Sequence, residues 1–329
     1  MNPKQRILTG DRPTGRLHLG HYAGSLSSRV KLQDDYETFI LIADVQALTT
    51  HFENPGLIRD SIFQVAVDNL SVGLDPKKVL FVQQSQVPAI AELTVLLSML
   101  VTVNTLRHNP TVKTEAAQYG YKDLTYGFLG YPISQAADIL FCEADLVPVG
   151  DDQLPHMELT RKLVRRCNEL YGTGLKEPRA LLGSVPRLKG LDGNAKMGKS
   201  LGNAVFLSES PEMLADKING AKTDPARLHK TDPGHPEICT IAGYQQAFNQ
   251  CRYETLCDSC RQGRIGCRDC KQALTDSLNT QLAPVRERRR YYEKHPETVK
   301  EFILEGSKKA AALGAETLSA VKDAMALKL

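Results

Sequence analysis

The 329-residue chain contains no tryptophan, only 6% aromatic residues and no apolar run approaching the length of a membrane span. The missing run excludes a helical membrane protein. The start from Met1 to Gly10 lacks the apolar stretch of a secretory signal, so a cytoplasmic location is expected. One charge sign barely exceeds the other, since 41 Lys and Arg face 38 Asp and Glu, a formal net charge of +3. So small an excess does not mark a nucleic-acid binder, and any RNA contact must come from local clustering of basic side chains. Two glycine-loop signatures are also absent. Gly10 and Gly15 have P-loop spacing, but Arg16-Leu17 stands where that loop needs Lys followed by Ser or Thr, and no dinucleotide fingerprint occurs. Internal repeats and low-complexity tracts are lacking too.

What is present, 42% hydrophobic residues in a chain of this length, can bury a sizeable core and suits two domains. Short apolar runs alternate with helical patterns before Ser200, which predicts an α/β fold with a parallel sheet covered by helices. Strands are expected at Arg6–Thr9, Thr38–Ala43, Val79–Gln83 and Leu146–Val149. An amphipathic helix is expected from Gln153 to Leu170, with Leu154, Met157, Leu163, Val164, Cys167 and Leu170 near one face. Ser210-Pro211 reads as a helix cap with proline in the first turn, and the later segments are mainly helical with interruptions at Pro284 and Pro296. The expected division is a Rossmann-like domain over 1–207 and a mainly helical one over 208–329.

His18-Leu19-Gly20-His21 follows the turn after the first strand, beyond the carboxyl end where such sheets bind ligands. On a first helical turn the two imidazoles share a face, and Gly20 lets the backbone approach a phosphate. Lys196 and Lys199 repeat that spacing in the glycine-containing loop Lys196-Met197-Gly198-Lys199-Ser200. One reaction uses both signatures: adenylyl transfer from ATP, in which charge builds on the leaving pyrophosphate and is met by imidazole and ammonium donors from two sides. Tyr131, Gln135 and Asp138, at i, i+4 and i+7, form a polar stripe beside Ala136 and Ala137 that suits a pocket floor. Gly150-Asp151-Asp152-Gln153 ends a strand and opens a helix, so its aspartates also suit capping. Lys113 reads as a surface lysine before a phosphate contact.

Cysteine supplies a second feature. Cys257-x-x-Cys260 and Cys267-x-x-Cys270 are close pairs with Gly263 and Gly266 between them, and four such thiolates can bind zinc. A disulfide framework is not expected, because the cytosol keeps thiols reduced. Further on, Arg286, Arg288, Arg289 and Arg290 stand beside Tyr291 and Tyr292, either a solvated helix face or an RNA-gripping surface.

Taken in order, these motifs resemble those of class I aminoacyl-tRNA synthetases, with His18–His21 standing for the HIGH motif and Lys196–Ser200 for KMSKS. Within the class, Ala136-Ala137-Asp138-Ile139-Leu140, Val147–Gln153 and Thr160-Arg161 most resemble the tryptophanyl-tRNA synthetases, from Ile7 nearly to the end. The resemblance implies formation of an aminoacyl adenylate from Mg-ATP and L-tryptophan, transfer to tRNA(Trp), and a homodimer. It implies catalysis by His18, His21, Lys196 and Lys199, and ATP contacts from Gly10, Arg12, Gly20, His21, Gly150, Asp152, Lys196, Met197, Lys199 and Ser200. It places Leu8, Tyr131, Gln135, Asp138 and Gln153 around the amino acid, with Asp138 accepting from the indole N–H. It also implies an anticodon-binding role for the helical domain. Gly198 departs from the usual serine, which removes a hydroxyl and loosens the loop.

Gln135 stands where many tryptophanyl enzymes have methionine and also fits the tyrosyl substrate helix, so a tyrosyl-tRNA synthetase stays open, as does a non-catalytic paralogue. A bacterial subset carries a 4Fe–4S cluster on an upstream cysteine and a C-x6-C-x2-C run. That run is matched by Cys260, Cys267 and Cys270, with Cys239 upstream and Cys257 spare; zinc on the local four is the alternative. A chain without tryptophan could be translated without the amino acid that it would activate.

Overall fold

The computed structural model describes residues 4–182, 188–194, 197–198 and 201–328. Five strands, β1 (Arg6–Asp11), β2 (Glu37–Ile42), β3 (Val79–Gln83), β4 (Leu146–Val149) and β5 (Arg179–Leu182), form one parallel sheet in the order β3-β2-β1-β4-β5. The first four lie where the apolar runs predict them. The fifth, Arg-Ala-Leu-Leu, is a short and mostly exposed edge whose sequence carries no buried-strand pattern.

Strand alternation sends Ile40, Ile42 and Phe81 into one core cluster and Phe39, Leu41 and Val82 into another, so both faces are covered and the strands are apolar almost throughout. Gly10 is dictated by this packing, because a Cβ there would lie 2.5 Å from the carbonyl oxygen of Leu41 on β2. The chain leaves β1 toward β2 and β3 and later returns to β4 on the other side, which makes the β1–β4 boundary the switch point where the strand ends open a crevice.

The Leu154–Tyr171 helix buries Met157, Leu163, Val164 and Cys167 as expected, whereas Leu154 and Leu170 at its ends are 38% and 45% exposed. Ser210 caps the Pro211–Gly220 helix by accepting the Met213 N–H at 3.2 Å. Pro296 separates two helices as expected, but Pro284 interrupts nothing and lies inside the continuous Cys267–Lys294 helix. It sits on the exposed face, where the Thr280 carbonyl that loses its helical partner can turn to water.

Residues beyond Leu207 join the same core: Leu278 and Val299 cluster with Leu17 and Ile40. The Pro296–Ala324 helix covers the outer edge of β3, where Ser307 Oγ accepts the Gln83 N–H at 2.9 Å. Such cover satisfies an edge that would otherwise invite pairing with another chain. Among the described residues no helix is long and apolar enough to cross a membrane.

A Cβ at Gly306 would meet the Phe81 carbonyl oxygen at 2.2 Å. Gly306→Val is therefore expected to push the helix off β3 and lower stability by about 1–3 kcal/mol, read as a lower denaturant midpoint; an unchanged midpoint contradicts this packing.

Candidate active site

His18 lies at the N-cap of the Leu19–His21 helical turn and not within it. Its Nδ1 accepts the Gly20 N–H at 3.1 Å, while His21 Nδ1 accepts the His18 N–H at 3.2 Å. An imidazole nitrogen that accepts carries no proton, so both rings hold their hydrogen on Nε2 and can offer it as a donor. The ring centroids are 3.9 Å apart. A Cβ at Gly20 would lie 2.9 Å from the His18 ring and 3.4 Å from the Met197 sulfur, so only glycine fits between the two signatures.

Met197 is buried against this turn, and the segment after it pairs with residues 17–19: Leu19 N–H donates to the Val205 carbonyl at 2.9 Å and Leu207 N–H to that of Leu17 at 3.1 Å. His18 and Phe206 form the antiparallel bridge between them. Asn203, itself buried, accepts the Gly198 N–H at 2.9 Å and donates to Asp192 at 3.0 Å, which fixes the loop despite the absent serine hydroxyl. Lys196, Lys199 and Ser200 lie outside the described residues. Beneath the turn, Arg29 bonds Asp11 at 2.6 Å and Asn69 at 2.9 Å. Burial alone would raise the Asp11 carboxyl, but Arg29, with help from His21 and Asn69, holds it at about 2.

Across the switch point the Tyr126–Leu140 helix carries the expected stripe. Thr125 caps it by accepting the Phe128 N–H at 3.1 Å. Asp138 is buried and accepts from Gln84 Nε2 at 2.7 Å; burial pushes its carboxyl up to about 7, with Asp44 adding and Gln84 opposing. Tyr131 OH lies 3.0 Å from His156 Nε2, and burial brings His156 down to about 4, so its ring is neutral. Gln135 donates to Gln153 at 3.4 Å and Gln153 to Asp152 at 3.1 Å, which connects the helix to the turn at Gly150. Leu8 on β1 belongs to the core cluster behind this pocket. Arg12 pairs with Glu115 at 3.1 Å, and the Glu115 carboxylate also faces the Tyr131 hydroxyl, adding to burial in pushing that phenol up. Lys113 is exposed.

Gln84, Glu115 and His156 are thus site residues that the motifs did not announce. His156 had a signal, as a polar side chain three positions after Gln153 on the buried face of an amphipathic helix. The other two had none, because contact with the stripe is created only by the fold.

Burial pushes the Cys260 and Cys270 thiols up, and Cys239 and Cys267 lie close enough to both to add to that effect. Arg227 Nη1 donates to Cys260 Sγ at 3.5 Å and Cys267 Sγ at 3.9 Å, and Gln245 Nε2 to Cys270 Sγ at 3.4 Å. Cys257 is hydrogen-bonded to Tyr253 and also lies near Cys260, but it is not among the neighbours that raise Cys270. Among the described residues no group of three or more Cys, His, Asp and Glu side chains has the arrangement of a metal-binding set. The arginine run also differs from the expectation of an RNA face. Arg286 donates to the Glu209 carbonyl at 2.7 Å, Arg288 to that of Ser71 at 2.6 Å, and Arg289 is buried, which leaves Arg290 and Tyr291 exposed.

Residues 1–283 match the family of class I tRNA synthetases (W and Y). The chain is 47% identical over 335 residues to a tryptophan–tRNA ligase of Streptococcus mutans, with 98% of each covered. Among solved structures it is similar to tryptophanyl-tRNA synthetase from Campylobacter jejuni complexed with ADP and tryptophan, with a TM-score of 0.83, 29% identity, and 98% of this chain and 100% of that one covered. The tryptophanyl-tRNA synthetase of Mycoplasma pneumoniae aligns with a TM-score of 0.84 at 27% identity, covering 99% of this chain and 98% of that one.

Proposed function

The chain belongs to the class I tRNA synthetases for tryptophan and tyrosine, and on that premise we propose how its residues divide the work of a tryptophan–tRNA ligase. The reaction joins L-tryptophan to ATP as tryptophanyl-adenylate and then to tRNA(Trp). Tryptophan is preferred to tyrosine on the identity to a tryptophan–tRNA ligase over nearly all of both chains. The observation that carries the reading is the contact of Met197 with the turn between His18 and His21, since it brings the two nucleotide signatures to one cleft.

In the first step a carboxylate oxygen of tryptophan attacks the α-phosphorus of Mg-ATP, the bond to the bridging oxygen breaks, and pyrophosphate leaves with that electron pair. No enzymic nucleophile takes part. The Nε2–H donors of His18 and His21, with the ammonium groups of Lys196 and Lys199, meet the growing charge. Gly10, Arg12, Gly20, Gly150, Asp152, Met197 and Ser200 complete the ATP site. Tyr131 and Gln153 hold the α-amino and carboxylate ends, Gln135 orients Gln153, Leu8 backs the ring, and Asp138 accepts the indole N–H. A hydroxyl of the tRNA terminal ribose, the 2′ as in class I relatives, then takes the acyl group and releases AMP. Residues 1–207 form the catalytic part and 208–329 the anticodon-binding part.

The second copy expected of a homodimer has a suitable surface. Val45, Phe52, Val95 and Met99 are 48–71% exposed beside a groove of about 640 Å³ whose back wall includes Gln84 and Tyr131. A patch of this kind marks an interaction site. The four thiols do not stand in a metal-binding arrangement as they are, but their thiolate donor set, the two N–H···S donors and the absence of room for a Cβ at Gly234, 2.5 Å from Cys260 Sγ, favour a 4Fe–4S cluster over zinc on Cys257 and its neighbours. Such a cluster would shape the 239–270 region and perform no step of the ligation.

Pyrophosphate exchange with ATP, tried with all amino acids and followed by tRNA charging, is expected to respond to tryptophan; exchange with tyrosine alone would overturn the assignment. Because the chain has no tryptophan, bound substrate can be followed by its own fluorescence. The carboxylate of Asp138, titrating at about 7, is the binding form, so affinity falls as pH drops through that value. At pH 6 binding should be about tenfold weaker than at pH 8, and Asp138→Asn should be weak and flat with pH. Light scattering should give twice the chain mass for the native protein and the chain mass for Met99→Lys. Anaerobically purified protein should contain iron and sulfide, and stoichiometric zinc without iron would reject the cluster.

A further inference from the structure

Three of the four arginines that sequence pattern offers to RNA are engaged within the molecule, and the partners of Arg289 lead to the ATP site. Arg289, on the Cys267–Lys294 helix, is 3% exposed and pairs with Asp68, which is 0% exposed on the Pro55–Ser71 helix. Asp68 turns its second oxygen to the backbone of the nucleotide turn and accepts the Leu17 N–H at 2.7 Å. Leu17 immediately precedes His18, and its carbonyl accepts from Leu207 at the end of the segment that follows the lysine loop. Three residues earlier on the same helix, Arg286 donates to the carbonyl of Glu209, just beyond that segment. One helix therefore grips both strands of the 17–19 and 205–207 pairing.

A salt bridge this deeply buried is weak evidence for stability, since removing two charges from water costs about as much as their attraction returns. What it does supply is direction. A carboxylate oriented by a guanidinium can hold a single N–H in place, and a shift of about 1 Å in a group that meets transition-state charge costs about a hundredfold in rate. Arg289 is itself oriented from two further sides, by Gln64 and by Glu293 at 2.9 Å, so its position is set independently of the turn.

We infer that Asp68, oriented by Arg289, is a positioning residue for adenylate formation: it fixes the backbone before His18 so that the two histidines and the lysine loop face one triphosphate. This rests on the proposed ligase reading. Neither residue touches substrate. The amino-acid stripe faces the other side of the sheet, with Ala136, Ala137 and Leu8 in the second core cluster, so its function should be spared.

The test uses the full-length protein with ATP, tryptophan and pyrophosphate. Asp68→Asn is expected to lower kcat for exchange at least tenfold and to raise KM for ATP severalfold, while the tryptophan Kd from ligand fluorescence stays within twofold. Arg289→Gln should act in the same direction, and the double variant should be no worse than Asp68→Asn, because both remove one contact. Glu287→Gln, at an exposed position on the same helix with no part in this chain of contacts, should leave exchange unchanged. Should Asp68→Asn fail to fold, Arg289→Lys, which keeps the charge but not the fork, carries the same expectation at smaller amplitude. Unchanged kcat and KM for ATP per folded molecule, or equal losses in ATP and tryptophan binding, would overturn the positioning role. A wild-type protein inactive with every amino acid would instead sink the ligase reading beneath it.

Discussion

Two backbone hydrogen bonds, from Leu19 to Val205 and from Leu207 to Leu17, join segments almost two hundred residues apart and put the histidine turn and the lysine loop in one place. Without them each signature is a small polar motif on a separate part of the surface. With them, Met197 packs on Gly20 and His18 bridges Phe206. The pairing is possible because Leu17 and Leu19 turn their side chains into the core while their backbones stay available. The histidines at and after that point are thereby left to the crevice at the end of β1.

The surroundings of this pairing are more polar than a core usually is. Arg29, Asn69, Asp68 and Arg289 are buried and the Asp11 side chain is 7% exposed, and they bond mostly to one another or to the backbone of the turn. Such a layer adds little net stability, but each member restricts where the next can sit. On the other side of the sheet the requirement is different. Burial pushes Asp138 up to about 7 and His156 down to about 4, which leaves Asp138 a carboxylate acceptor only above that pH and His156 a neutral partner for the Tyr131 phenol. The two sides of the site thus use burial in opposite ways, to fix charge beneath the phosphates and to suppress it around the amino acid.

Much of this was legible in the residues themselves. The four central strands announce themselves as apolar runs because both faces are covered, and the Tyr131–Gln135–Asp138 stripe follows from helical periodicity. Pro284 misled because proline disrupts a helix only where its lost hydrogen bond cannot be replaced, and an exposed face replaces it with water. The arginine run misled for a related reason: charge density in sequence does not say which side of a helix meets another helix. Gln84 and Glu115 were invisible because their meaning lies in neighbours that come from other elements, and β5 because a short edge strand needs no apolar pattern.

The helix laid over β3 also orders events in time. Gln83 and the Ser307 hydroxyl that satisfies its amide are 224 residues apart, and at ribosomal speeds of about 5–20 residues per second the open rim of the nascent sheet waits on the order of ten to forty seconds for its cover. During synthesis the growing chain therefore carries a template for wrong pairing that the finished molecule does not have. Its dependence on folding helpers should fall on that interval and not on the mature protein.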